Sequence, residues 1–168
     1  MSTFTITHEI NCNEETFWQL FLDKEFNERM YLDGLGFPEW RIVEQVETDT
    51  EVRRTTSGRP KLANMPGPIV KLLGDSFGYK EVGSMDKKTK HWKYKLTPTT
   101  LADKLRQEGS VKAEPFGDGK VKRVCEHTVE AKVFGIGGLL ESTTEKQLRD
   151  GWDKSATFMN KWIAEHKK

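Results

Sequence analysis

The last thirty residues, Leu139 to Lys168, carry the pattern of one long amphipathic helix, and a helix of that length dictates what else the fold must contain. At about 100° per residue, Leu148, Trp152, Ser155, Met159, Trp162 and Ile163 share one arc, with Ala156 and Phe158 at its margins. Arg149, Asp150, Asp153, Lys154, Asn160 and Lys161 face away. From Leu139 to His166 such a helix spans about 40 Å, enough to cross a small domain. It must lie against something wide. Between Glu39 and Val133 the chain reads as strands, so the expected partner is one curved antiparallel sheet.

The segment from Thr3 to Ile10 alternates with period two, as a half-buried strand does. Asn13 then suits a helix cap, followed by acidic Glu14 and Glu15 and by Phe17, Trp18, Phe21 and Leu22 at helical spacing. A second short helix is expected from Asp23 to about Tyr31, ended by Gly34 and Gly36. A hairpin follows (Trp40–Val46 with Glu51–Ser57), then strands over Phe77–Met85, His91–Thr97, Leu105–Ala113 and Val121–Val133, about seven in all. No repeat or change of composition divides the chain, so residues 1–168 are read as one α+β domain. At this length a core can form without disulfides or metal. Cys12 and Cys125 have no metal-ligand spacing, and residues 1–20 show neither a signal peptide nor a membrane span. The expectation is a soluble cytoplasmic protein.

Alternation also says which residues face inward. Trp92, Tyr94 and Leu96 share one face of their strand, and His91, Lys93 and Lys95 share the other. On the next strand Gln107, Gly109, Val111 and Ala113 point inward, where the small Gly109 and Ala113 are expected to leave room beneath the helix. The last strand directs Val121, Arg123, Cys125, His127, Val129 and Ala131 to the same side.

This order of elements resembles the helix-grip fold of the START-like and Bet v 1-like superfamily, in which a curved sheet wraps a long C-terminal helix. Within it the chain is similar to a bacterial family catalogued as domain of unknown function 2505, through the stretches Asp23–Arg29, Asn64–Gly74 and Val133–Glu141. The resemblance implies a START-like domain with a deep cavity that receives an apolar molecule, as in lipid-transfer and polyketide cyclase-like members. A fold alone does not assign an activity.

Arg123, Cys125 and His127 are the residues best placed for chemistry, being two apart on one strand and directed at the expected cavity. A buried guanidinium needs a partner, either a ligand carboxylate, phosphate or carbonyl, or an inward acid such as Glu81, Glu141 or Glu145. His127 then either meets the ligand or donates to a backbone carbonyl. It is the weak candidate for an acid/base residue. A Cys125–His127 nucleophilic pair is disfavoured, because neighbouring positions on a strand stand side by side and no oxyanion site is evident. The segment Lys61–Asp75 is read first as a short helix packed on the core. The second reading is a flap that makes transient membrane contact through Ile69, Val70, Leu72 and Leu73, flanked by Lys61 and Lys71.

The balance of 27 basic and 26 acidic residues gives no global field toward nucleic acid. Near Trp92 and Tyr94, alternation puts Lys93 and Lys95 on the opposite face, so no nucleic-acid partner is expected. No phosphate loop, dinucleotide fingerprint, metal cluster or paired-carboxylate motif is visible, and no cofactor is expected. The function expected first is non-enzymatic binding or transport of a lipid or other hydrophobic molecule by Trp92, Tyr94, Gly109, Arg123, Cys125, His127, Leu148, Trp152, Ser155 and Met159. Two alternatives remain. One is a polyketide cyclase- or dehydratase-like enzyme in the same cavity, and the other is a cochaperone-like interaction domain with an exposed apolar patch and no enclosed space.

Overall fold

In a computed structural model of the chain, residues 1–62 and 64–167 are described. The elements run β1 (Ser2–Ile10), α1 (Glu14–Leu22), α2 (Lys24–Arg29), a π-helical turn (Met30–Gly34), β2 (Glu39–Glu47) and β3 (Glu51–Arg59). Then come α3 (Gly67–Leu73), β4 (Tyr79–Asp86), β5 (His91–Pro98), β6 (Leu105–Pro115), β7 (Val121–Ala131) and α4 (Gly137–Glu165). All seven strands form one antiparallel sheet in the order β1-β7-β6-β5-β4-β3-β2. The expected helix-grip arrangement is therefore present, with its two short helices after the first strand.

Local chemistry sets the corner that closes the β2 side of the sheet. The Asn13 side chain caps α1 by accepting from Thr16 N at 2.8 Å, and Asp23 caps α2 by accepting from Phe26 N at 2.8 Å. Buried Asn27 then ties the two helices together, its Nδ2 donating to the carbonyls of Leu20, Phe21 and Asp23. The expected second helix ends at Arg29 and continues as the π turn, where Leu35 N donates to Met30 O at 2.8 Å. Such a turn widens the backbone locally, and it turns Met30 and Tyr31 toward the sheet.

Helix α4 lies along β1 and β7 and meets α2 through Phe26, which packs on Phe158 and Trp162 with ring centroids 5.8 and 5.4 Å apart. Its predicted stripe is the buried one: Ser155, Ala156, Met159 and Ile163 are buried, and Leu148, Trp152 and Trp162 half-buried. Phe17, Phe26 and Trp92 fill the core on the α1 side. Complete burial of each Phe contributes about 2–3 kcal/mol. A second cluster forms at the opposite end around Ile69, Leu73, Ala131 and Leu140. Between the two clusters the side chains do not close up.

Candidate functional site

That gap is a cavity of about 640 Å³ between the inner face of β3–β7 and α4, within the usual range for a small-molecule site. Its apolar wall includes Phe26, Met30, Ile69, Leu73, Trp92, Leu140 and Met159. Exposed side chains of α4, among them Asp150 and Lys154, share the rim with Leu35, Phe37, Lys61, Asn64 and Met65. Of the residues expected to bind a ligand, Trp92, Tyr94, Arg123, Leu148, Trp152, Ser155 and Met159 line this space. Gly109, Cys125 and His127 do not, and each has a physical reason.

Gly109 leaves no room. A Cβ at this position would overlap the Glu126 carbonyl oxygen and stand 2.8 Å from Tyr94 Cε1 and 3.0 Å from His127 Nδ1. The expectation of free volume there is corrected: the glycine is needed so that the Tyr94 ring can lie flat on the sheet. Directly across from it, His127 is 1 % exposed, held between Phe4 and Trp152 with centroids 5.5 Å from each. Its Nδ1 lies 2.6 Å from the Tyr94 hydroxyl rather than against a backbone carbonyl, and its Nε2 has no partner among the described residues. Burial, helped by Arg123 and Arg149, lowers the imidazole pKa to about 4, so it is neutral at pH 7. Cys125 is fully buried, and burial pushes its thiol up to about 11, against the pull of Arg123, which is the reverse of what a nucleophile needs.

Arg123 is 3 % exposed and pairs with none of the three acids considered for it. Its Nη1 donates to Ser155 Oγ at 3.0 Å, and its Nη2 donates to the Trp152 carbonyl at 2.9 Å and to His8 Nδ1 at 3.1 Å. A guanidinium only donates, so His8 Nδ1 accepts and its Nε2 faces Asp153 Oδ1 at 2.6 Å. The guanidinium also lies over the Trp152 ring, 4.6 Å from its centroid.

The larger surprise is a second buried guanidinium. Arg54 on β3 is 6 % exposed and lines the cavity, its Cζ 4.8 Å from the Phe21 ring and 5.0 Å from the Trp92 ring. Its Nη1 donates to the Phe21 carbonyl at 2.6 Å, so the charge is held at the negative end of α1. One row further along the sheet, Glu81 of β4 faces the same space. It has no hydrogen bond or ion pair among the described residues. Burial pushes its carboxyl pKa up, with Arg54 pulling the other way. Tyr31 and Tyr79 complete this polar group, both phenols pushed up first by burial and further by neighbours that include Glu81. Strand alternation did carry a signal for Arg54, since Val52, Arg54, Thr56 and Gly58 form the inward set of β3. The adjacent Arg53 hid it.

The Lys61–Asp75 segment takes the packed form. In α3, Ile69 and Leu73 are buried against Ala131 and Leu140, which corrects their reading as membrane-contacting side chains, while Val70 and Leu72 are half-buried. The segment still walls the cavity through Ile69 and Leu73. No helix among the described residues is long and apolar enough to cross a membrane.

Residues 5–163 match the family described as protein of unknown function DUF2505. The chain belongs to that family. No curated protein matches it. Solved structures similar to this DUF2505 chain include the Zhui aromatase/cyclase from Streptomyces sp. R1128, at 12% identity and a TM-score of 0.67, covering 99% of each chain. A START superfamily protein from Mycobacterium smegmatis is similar at 14% identity and a TM-score of 0.59, covering 98% of this chain and 99% of that one. Norcoclaurine synthase from Thalictrum flavum, in complex with dopamine and hydroxybenzaldehyde, is similar at 15% identity and a TM-score of 0.65, covering 99% and 90%. At these identities the likeness shows a shared START-like, Bet v 1-like fold and nothing finer.

Proposed function

We propose that this protein binds a hydrophobic small molecule, a lipid or another largely apolar compound, in the cavity between sheet and α4. The observation that carries the reading is the space itself: about 640 Å³ walled by Trp92, Met159, Ile69 and Leu140, with a few polar groups at fixed places. An unfilled apolar volume of this size forfeits packing energy, and a ligand restores it. Norcoclaurine synthase, a similar fold solved in complex with dopamine and hydroxybenzaldehyde, supports a ligand-binding reading. Native mass spectrometry of freshly purified protein tests it. A discrete added mass that vanishes on denaturation is expected, and a bare chain that also takes up no added apolar ligand overturns it.

A second reading, a cyclase- or dehydratase-like reaction in the same cavity, has one observation in its favour. Glu81 is a titratable group facing the cavity without a hydrogen bond among the described residues, which suits proton transfer better than the enclosed His127 does. The similar fold of the Zhui aromatase/cyclase keeps that reading in view. Turnover of a polyketide-like substrate that Glu81→Gln abolishes without weakening binding would establish it. A cochaperone-like role required the absence of enclosed space, and the cavity speaks against it.

A further inference from the structure

We infer that the ligand of this cavity is an acid, a single carboxylate on an apolar body, and that Arg54 receives the carboxylate. The inference rests on the hydrophobic-ligand reading and goes on to name the ligand's polar end.

The argument is one of charge balance. Two guanidiniums, Arg54 and Arg123, line one interior space, and neither has a carboxylate within ion-pair distance among the described residues. Three acids reach the lining. Glu130 is paired with Lys132 at 3.6 Å and Asp150 with Lys154 at 3.0 Å, both at the rim. Only Glu81 remains inside, one carboxyl against two guanidiniums, and burial pushes its pKa up against the pull of Arg54. The interior therefore carries an excess of positive charge, which an anionic group on the ligand offsets.

Hydrogen bonding selects between the two cations. Arg123 spends both of its Nη groups on Ser155, His8 and the Trp152 carbonyl, so that only its buried Nε is left without a partner among the described residues. Arg54 uses only Nη1, on the Phe21 carbonyl. Its Nε is buried without a partner, as that of Arg123 is, but here the adjacent Nη2 also makes no hydrogen bond among the described residues. Two donors on one edge of a planar guanidinium match the two oxygens of a carboxylate. Stacking on Phe21 and Trp92 keeps that plane fixed, so little rotamer entropy is lost on binding. A cationic ligand would instead face two like charges.

The test is a comparison of head groups on one tail. Binding of dodecanoate, dodecanol and dodecylamine is measured at pH 7 below their micelle-forming concentrations, by intrinsic tryptophan fluorescence, to which the cavity-lining Trp92 and Trp152 contribute, and by calorimetry. Partition alone favours the alcohol, because an ionised carboxylate is costly to desolvate. Dodecanoate binding at least about tenfold tighter than both others is the expected result, since a charge-assisted pair outweighs that cost. Arg54→Met, which keeps the stem packed on Phe21 and Trp92, is expected to bring dodecanoate affinity to within about twofold of dodecanol affinity. The head-group comparison on the unaltered protein decides the matter even if that variant does not fold. Dodecanol or dodecylamine binding as tightly as dodecanoate overturns the inference and leaves the hydrophobic-ligand reading standing. If none of the three binds, both are overturned.

Discussion

The Tyr94 hydroxyl lies 2.6 Å from His127 Nδ1, and this contact fixes which of the two residues faces the cavity. Tyr94 is in the lining and His127 stands behind it. The imidazole is part of the wall's support, although its strand position directs it inward.

That placement makes His127 a source of acid sensitivity. Its pKa is lowered from 6.5 to about 4 in the folded protein, so the unfolded chain binds the extra proton between these values. The stability it permits is whole above pH 6.5 and is lost as pH falls toward 4, by roughly 3 kcal/mol from this group. His127→Phe keeps a ring between Phe4 and Trp152. Urea unfolding at pH 7 and pH 4 should show a loss smaller by about that amount in the variant than in the parent, and an unchanged loss would refute the assignment.

Arg123 and Asp153, which flank His8 on its two ring nitrogens, should differ sharply when removed. Arg123→Ala strips three hydrogen bonds, one buried and two part-buried, and leaves a void against Trp152, an expected cost of about 3 kcal/mol. Asp153→Ala removes only a side chain 68 % exposed, and the expected cost is under about 1 kcal/mol. Thermal or urea denaturation of both variants checks the order.

Glycine positions separate support from opening. Gly109→Ala collides with the Glu126 carbonyl and the Tyr94 ring, and should destabilise by about 1–3 kcal/mol. Gly151, midway along α4 at the cavity rim, meets nothing within 4 Å of an added Cβ. Gly151→Ala should stabilise by about 0.5–1 kcal/mol through helix propensity. Gly151→Phe should leave the melting temperature near the parent value while slowing uptake of an apolar fluorophore, measured by stopped flow.

Both thiols should resist modification in the native state. Cys12 and Cys125 are buried and free, and burial pushes each up to about 11. At pH 8 a disulfide reagent such as Ellman's should label neither until denaturant is added, when both react. Fast labelling of Cys125 in the folded protein would mean that the wall opens.

The periodicities of the chain alone determined the seven strands, the short helices and the long α4 with its buried stripe. A repeat of two or of 3.6 residues is a local property, and burial of one face enforces it. The inward direction of Trp92, Tyr94, Arg123 and His127 was legible for the same reason. What only the tertiary structure decided is how far each inward side chain reaches and what it meets. Gly109 promised space by its size, yet its register opposite His127 and Tyr94 fills that space from neighbouring strands. Arg54 and Glu81 come together from two strands, under the end of a helix formed some thirty residues before Arg54 in the chain. Such meetings depend on cross-strand register and on the reach of side chains between layers, and neither is encoded in the pattern of any single segment.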